Sequence, residues 1–176
     1  MGNRAVITTP KKKIGIYLHW NGGYDSVSAF LAYCKIKEYR NPCNDCYGWA
    51  RMCQVIGNFF GGSTSLGIDE YCNLDTDNGD NGVYIIDENW NIIKRQYFDG
   101  IEQTEYNLLD CLVSINFCQP KDERVSVKTL CDYCIENGNY TKERVAKELD
   151  ELIYKCSSDY EQEIIDEIKE VMKEYE

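Results

Sequence analysis

The chain of 176 residues carries a formal net charge of −11, and 43% of its residues are hydrophobic. This composition excludes a disordered chain, and the acidic balance argues against nonspecific binding of nucleic acid by the whole protein. No apolar run is long enough to cross a membrane and no signal-peptide core is present, so we expect a cytoplasmic protein without a membrane partner.

The first hundred residues contain runs of strand length that are separated by turn residues. The predicted strands are residues 4–9, 14–20, 64–68, 83–87 and 92–98. The last two are predicted to form a hairpin across residues 88–91. Two helices are predicted between the second and third strands, at 25–40 and 47–60, and the first of them is capped by Asp25 or Ser26.

The remainder of the chain has the periodicity of amphipathic helices. We predict one helix that ends before Pro120, a second over 127–136, a third that begins at Thr141 and a last one that begins at Ser158. The predicted fold class is therefore α+β: a mixed, mostly antiparallel sheet with two covering helices, followed by a helical C-terminal third. Residues 1–100 would form the α/β core with its glycine turn and hairpin, and residues 101–176 an acidic helical region packed on that core.

The most informative segment, Ile14–Ser26, has the pattern of a strand, a glycine turn and a helix start. Backbone N–H groups at such a helix start can hold an anion. The turn Asn-Gly-Gly-Tyr-Asp-Ser resembles the Ser-Gly-Gly-x-Asp-Ser loop of the PP-loop ATP pyrophosphatases, with asparagine in place of the first serine. The residues that this short resemblance assigns to phosphate are Asn21, Gly22, Gly23, Asp25 and Ser26. The alternative is a tight turn whose Asp and Ser only cap the helix.

His19 is the only histidine and ends the second predicted strand beside Trp20. An acid–base pair with Asp25 is conceivable, so His19, Asp25 and Ser26 are the catalytic candidates if the chain is an enzyme. A histidine at a strand end is more often held by hydrogen bonds for a structural purpose. We therefore favour a protein that is not an enzyme and has no catalytic residues.

Ten cysteines in a chain without a signal peptide indicate reduced thiols in the cytoplasm. Cys43-Asn-Asp-Cys46 and Cys131-Asp-Tyr-Cys134 are pairs of a kind that binds zinc, but they lie much further apart than the about 15–20 residues of a zinc ribbon. The second pair falls in a predicted helix, where this spacing only places two residues on one face. This leaves Cys43 and Cys46 as metal-ligand candidates. We favour fortuitous spacing and expect no metal and no cofactor.

The charge is unevenly distributed along the chain. Residues 1–60 have a balance of +5, residues 61–140 of −10 and residues 141–176 of −6. The acidic part favours a basic partner, such as a protein that normally binds nucleic acid, although solubility alone also accounts for acidic residues. Two groups of carboxylates are candidates for imitating a nucleic-acid backbone: Asp69, Glu70, Asp75, Asp77 and Asp80 in the loop after the third strand, and Glu163, Asp166, Glu167 and Glu170 on the last helix.

Three motifs, Met1-Gly-Asn-Arg-Ala-Val-Ile, Leu18-His-Trp-Asn-Gly-Gly-x-Asp-Ser and Tyr47-Gly-Trp-Ala-Arg, together resemble a set of small proteins from phages and other bacterial mobile elements. Small acidic proteins from such elements are often inhibitors of host defence, including anti-CRISPR proteins that occupy nucleic-acid-binding surfaces of Cas effectors. The resemblance therefore implies an inhibitor of a Cas9-type nuclease in the cytoplasm of a bacterial host. The alternatives are a nucleotide-binding or hydrolytic enzyme that uses the glycine turn, and a nucleic-acid-binding module that uses the basic residues 1–60.

Overall fold

The computed structural model describes residues 2–156 and 162–175, and the chain divides into two compact units, Met1–Tyr106 and Asn107–Glu176. We call these unit 1 and unit 2. Unit 1 contains a five-stranded sheet and two α-helices, and unit 2 is helical. The α+β fold class predicted from the sequence is confirmed, including the helical C-terminal region.

The elements of unit 1 follow the predicted order. The strands are β1 (Ala5–Thr8), β2 (Ile14–Leu18), β3 (Leu66–Glu70), β4 (Val83–Ile86) and β5 (Ile92–Gln96), and the helices α1 (Tyr24–Ile36) and α2 (Cys46–Phe60) lie between β2 and β3. The strand order in the sheet is β3-β2-β1-β4-β5. β1 runs parallel to β4, whereas the other three neighbouring pairs are antiparallel. The predicted mixed, mostly antiparallel sheet and its β4–β5 hairpin are therefore confirmed.

Alternation of side chains along the strands gives the sheet two different faces. On one face, Ile7 of β1 lies between Ile16 of β2 and Tyr84 of β4, and all three are completely buried. Helix α1 covers this face, and the ring of Tyr24 packs on that of Tyr84 with the centroids 6.5 Å apart. A smaller apolar cluster lies on the opposite face and consists of Val6, Val83, Ile85, Tyr17, Tyr71 and Leu74. The central strands β1 and β4 therefore bury apolar groups on both faces of the sheet.

Helix α1 begins and ends earlier than predicted. Its N-cap is Gly23, which has an extended backbone and makes no side-chain hydrogen bond. The prediction that Asp25 or Ser26 caps the helix is wrong, because both residues lie inside its first turn. The predicted continuation to residue 40 is also wrong, since Glu38 has a φ of +52°, and a left-handed residue ends an α-helix.

Helix α2 and strand β3 lie within two residues of their predicted positions. The carboxylate of Asp45 caps α2 by accepting a hydrogen bond from the N–H of Tyr47 at 2.7 Å. β3 is shifted toward the C-terminus relative to the prediction. As a result Asp69 and Glu70, predicted to lie in a loop, are the last two residues of an edge strand.

Unit 2 contains four described α-helices whose apolar stripes meet in one core. They are α3 (Leu108–Phe117), α4 (Val127–Asn137), α5 (Lys142–Cys156) and α6 (Gln162–Met172). Completely buried members of the core include Leu109, Leu112, Val113, Leu130, Val145, Leu149 and Ile168. The predicted start of the last helix at Ser158 lies outside the described residues. Across the described part of the chain, no helix is long and apolar enough to span a membrane.

Candidate functional site

The glycine turn connects β2 to α1 and packs against the start of β1. The N–H of Gly22 donates a hydrogen bond to the carbonyl of Asn3 at 2.8 Å, and the hydroxyl of Tyr84 donates one to the carbonyl of Gly22 at 3.0 Å. A Cβ at Gly22 would lie 2.6 Å from the Asn3 carbonyl oxygen and 2.7 Å from the nitrogen of Ala5. Close approach of backbone therefore requires glycine here, which gives this residue of the motif a structural role.

The N-terminus of α1 already carries a carboxylate. Asp25 Oδ1 accepts a hydrogen bond from the N–H of Ser26 at 2.7 Å. It also lies 3.4 Å from the hydroxyl oxygen of Ser26. A negative group is favoured at this end of a helix dipole, so Asp25 occupies the place that the phosphate hypothesis gives to an anion. In addition, the strands on either side of the two helices are antiparallel neighbours and do not form a parallel βαβ unit. Phosphate binding by residues 21–26 stays a prediction.

His19 and Trp20 follow β2 and are both exposed. The two rings meet edge to face with their centroids 5.2 Å apart, and the imidazole lies 6.5 Å from the ring of Tyr17. Within the described residues, no hydrogen bond joins the imidazole to Asp25. The structure therefore brings His19 together with aromatic rings and not with the carboxylate that an acid–base pair would need.

The two cysteine pairs differ in their surroundings. Cys43 Sγ donates a hydrogen bond to the carbonyl of Ile86 at 3.6 Å, and partial burial raises the pKa of this thiol, whereas Cys46 is exposed. Cys131 and Cys134 are buried on one face of α4, and burial raises the pKa of Cys131 to about 12. Among the described residues, no three histidine, cysteine or carboxylate side chains come together to hold a metal ion.

Asp80 anchors the loop that precedes β4. Its Oδ2 accepts hydrogen bonds from the backbone N–H of Arg4 at 3.1 Å and from the Nε of Arg4 at 2.7 Å. The same guanidinium lies 3.8 Å from the carboxylate of Asp75. The hydrogen bond from the Arg4 side chain holds the pKa of Asp80 below its usual range. Of the five predicted loop carboxylates, Asp80 is thus the one that stabilises the fold through two hydrogen bonds from Arg4.

We expect Asp80→Asn to lower the free energy of unfolding at neutral pH. We also expect the free energy of unfolding of this variant to depend less on pH in the acid range. The pKa of Asp80 is lower in the folded than in the unfolded protein, so the stabilisation is complete above the unfolded pKa of about 4 and is lost as the pH falls through the folded pKa. Urea unfolding at a series of pH values checks this. The difference between the parent and the variant should shrink toward zero at acid pH, and a constant difference would contradict the assignment.

The remaining loop carboxylates are exposed, and we call Asp69, Glu70, Asp75 and Asp77 the acidic segment. Asp69 accepts hydrogen bonds from two nearby residues of the chain, the N–H of Glu70 at 2.6 Å and the side-chain amide of Asn73 at 3.2 Å. In the described part of the chain, no lysine or arginine forms an ion pair with Asp69, Glu70 or Asp77. Three of the four carboxylates are therefore free to meet external cations.

The carboxylates predicted on the last helix are engaged inside unit 2. Glu163 pairs with Lys121 at 2.8 Å, and Glu170 pairs with Lys173 at 2.6 Å. Glu167 accepts a hydrogen bond from the N–H of Val127 at 2.8 Å, which satisfies a backbone donor at the start of α4. The fourth, Asp166, accepts one from the side chain of Gln162 on the same helix. The structure thus separates the two predicted groups: the loop group is exposed and the helix group is largely used within the fold.

Cations and tyrosines that are exposed or half-buried lie together where α1 leads into α2. The guanidinium of Arg51 is 5.2 Å from the ring centroid of Tyr39, and that of Arg40 is 5.5 Å from the centroid of Tyr47. The ammonium of Lys37 is 5.9 Å from the centroid of Tyr39. We call these five residues the basic–aromatic surface. The sequence identified this part of the chain as basic, but the tyrosines between its cations were the signal that the sequence analysis did not use.

Comparison of the chain with protein-family models, with curated proteins and with solved structures found no match in any of the three. The class of the protein is therefore defined by its own geometry. It is an α+β protein whose first unit contains a sheet with β3, ending in Asp69 and Glu70, at one edge, and whose second unit is helical.

Proposed function

We propose that the chain is a non-enzymatic inhibitor of a nucleic-acid-guided defence nuclease of the Cas9 type, and that it binds the nuclease through the acidic segment. The observation that carries the proposal is the exposure of Asp69, Glu70, Asp75 and Asp77 on one stretch of chain that contains no lysine or arginine. Such a stretch presents carboxylates to the lysines and arginines with which a nuclease normally grips phosphates.

The structure favours the loop over the last helix as the site of this contact. The carboxylate of Glu163 already pairs with Lys121, and that of Glu167 already accepts the N–H of Val127. A partner that bound them would first have to break those contacts. Among the residues that the structure describes, the acidic segment has no competing ion pair apart from the 3.8 Å approach of Arg4 to Asp75.

Binding of this kind depends on ionic strength. Clustered carboxylates accelerate the encounter with a basic surface at low salt, and the effect weakens once the Debye length falls to about 8 Å at physiological salt. Single exposed charge pairs contribute little, so the loss of one carboxylate should change little and the loss of the whole segment should change much. Inhibition should therefore weaken as salt rises.

The test is inhibition of DNA cleavage by a guide-loaded Cas9-type nuclease. We expect the loop variant Asp69→Asn, Glu70→Gln, Asp75→Asn and Asp77→Asn to lose about tenfold or more in inhibitory potency. A control with the same change in net charge replaces four exposed carboxylates elsewhere that form no ion pair within the described residues: Glu88→Gln, Asp99→Asn, Glu105→Gln and Asp122→Asn. This control should inhibit like the parent. Equal inhibition by the parent and the loop variant at every salt concentration would overturn the proposal.

A second candidate function, binding of nucleic acid, is favoured by the basic–aromatic surface. Cations close to tyrosine rings at a protein surface can hold phosphates while the rings stack on bases. Arg40 is also paired with Asp45 at 2.9 Å, which lowers the net positive charge of this surface. Capture of partners from a host lysate with and without nuclease treatment separates the two functions. A protein partner retained after nuclease treatment supports the inhibitor, whereas a partner lost on treatment supports the nucleic-acid module.

A further inference from the structure

The outer edge of β3 presents backbone groups that are not used in the sheet. In an antiparallel ladder, hydrogen-bonded and non-hydrogen-bonded pairs alternate, so every second residue directs its N–H and C=O away from the partner strand. The N–H of His19 bonds to the carbonyl of Ser65 at 3.0 Å, and the N–H of Tyr71 bonds to the carbonyl of Lys13 at 2.9 Å. These contacts place the odd-numbered residues 65–71 in the ladder with β2. The even-numbered Leu66, Ile68 and Glu70 therefore direct their backbone groups outward.

Two of these three residues have both outward groups open. The N–H of Glu70 is covered by the carboxylate of Asp69 at 2.6 Å, which leaves only the carbonyl of that residue. Within the described residues, the outward N–H and C=O groups of Leu66 and Ile68 have no hydrogen-bonding partner. The side chain of Ile68 is also 52% exposed, although it lies beside the completely buried Ile16 on the helix-covered face of the sheet. The edge thus combines open backbone groups with an uncovered apolar side chain.

We propose that the outer edge of β3 binds an extended basic segment of the partner protein as an added antiparallel strand. The proposal rests on the proposed function and specifies how the acidic segment meets its partner. Addition of a strand to an open edge supplies main-chain hydrogen bonds, and the neighbouring side chains supply specificity. The charge argues for a basic occupant, because the strand ends in Asp69 and Glu70 and the exposed Asp75 and Asp77 follow it.

The register of β3 defines the side chains that the added strand should carry. Directly opposite residues on one face are the closest pairs across two strands. Lysines are expected opposite Glu70 and Asp69, and β-branched apolar residues opposite Ile68 and Leu66. The residue opposite Gly67 points to the other face and is not restricted by a side chain. Read in the antiparallel direction, the preferred segment is Lys-Lys-Val-Thr-Val.

A second copy of the chain is a poorer occupant of this edge. Two β3 strands paired antiparallel about Ile68 would place Glu70 opposite Leu66 and Asp69 opposite Gly67, so neither carboxylate would meet a cation. Charged residues on an edge strand are also a common means of preventing self-association of edges. A basic partner places lysines opposite these carboxylates and gains the same main-chain hydrogen bonds.

The test uses the full chain and a fluorescently labelled peptide, Thr-Lys-Lys-Val-Thr-Val-Thr, whose binding is measured by anisotropy. One derivative is N-methylated at the valine opposite Ile68, which removes a hydrogen bond to the edge. The matched derivative is N-methylated at the threonine opposite Gly67, whose N–H points away from the edge. We expect the first to bind about tenfold more weakly than the parent peptide and the second to bind equally well.

Protein variants provide an independent readout. Ile68→Pro removes an outward N–H without removing a hydrogen bond to β2, and edge strands tolerate proline, so this variant should fold and bind the peptide about tenfold more weakly. Ile68→Val keeps the N–H and should bind like the parent. Circular dichroism and thermal unfolding establish that both variants are folded.

The possible outcomes separate this inference from the proposed function. If both N-methylated peptides bind like the parent peptide while the loop variant binds weakly, charge alone holds the peptide, and strand addition is overturned although the acidic contact stands. Absence of any peptide binding also overturns strand addition, and the cleavage assay then decides the proposed function separately. A dimer in sedimentation velocity that Ile68→Pro dissociates would show that a second copy occupies the edge and would overturn the proposal.

Discussion

Gly82→Ala should lower the free energy of unfolding by about 2–4 kcal/mol, because the change combines backbone strain with a steric clash. Gly82 has a φ of +63°, a conformation that residues with a side chain rarely adopt. An added Cβ would also collide with the carbonyl oxygens of Gln96 and Tyr97. The residue leads directly into β4, and its carbonyl accepts the N–H of Val6 at 2.8 Å, so the clash cannot be relieved without disturbing the central strands.

Gly79→Ala is the matched control for this prediction. Gly79 has a similar φ of +70°, but nothing lies within 4 Å of the position that its Cβ would take. Its substitution should cost only the backbone strain, about 1 kcal/mol. Urea unfolding of the two variants measures the difference. Equal losses at the two positions would show that the contact with Gln96 and Tyr97 is unimportant for stability.

Arg95→Leu should lower the free energy of unfolding by about 2–4 kcal/mol, because one guanidinium makes several contacts that leucine cannot replace. The guanidinium lies between two rings, 3.9 Å from the centroid of Tyr84 and 3.8 Å from that of Phe98. It also bonds to both carboxylate oxygens of Glu102 at 2.7 and 2.8 Å and donates to the carbonyl of Asn81. The side chain is only 10% exposed, so these contacts are largely shielded from water.

Arg95→Lys distinguishes charge from geometry. Lysine keeps the positive charge, but it lacks the planar guanidinium that lies between two rings while one nitrogen donates to Glu102 and the other to the carbonyl of Asn81. We therefore expect this variant to recover less than half of the loss. Lys94→Ala, at an exposed position of the same strand, should change the stability by less than about 0.5 kcal/mol. Full recovery by Arg95→Lys in urea unfolding would mean that charge alone accounts for the stabilisation.

The sequence by itself determined which parts of the chain become strands and helices. Apolar alternation between turn residues was sufficient to predict the β4–β5 hairpin, and the spacing of Val145, Leu149 and Leu152 was sufficient to predict α5. These patterns are local, since a residue two, three or four positions away decides which side chains share a face. The fold class followed from the same patterns, because strands that come first and helices that come later indicate an α+β fold.

Only the tertiary structure decided what the charged residues do. Arg4 and Asp80 are 76 positions apart, and Lys121 and Glu163 are 42 apart, so no periodicity could predict which carboxylates are paired and which are exposed. The start of α1 was decided in the same way, because contacts of the glycine turn with β1 fix its path and make Gly23 the N-cap. The open edge of β3 depends on strand order, which the sequence left undetermined. Short-range patterns in the sequence determine the helices and strands, whereas contacts between distant segments determine which charged residues are paired and which are exposed.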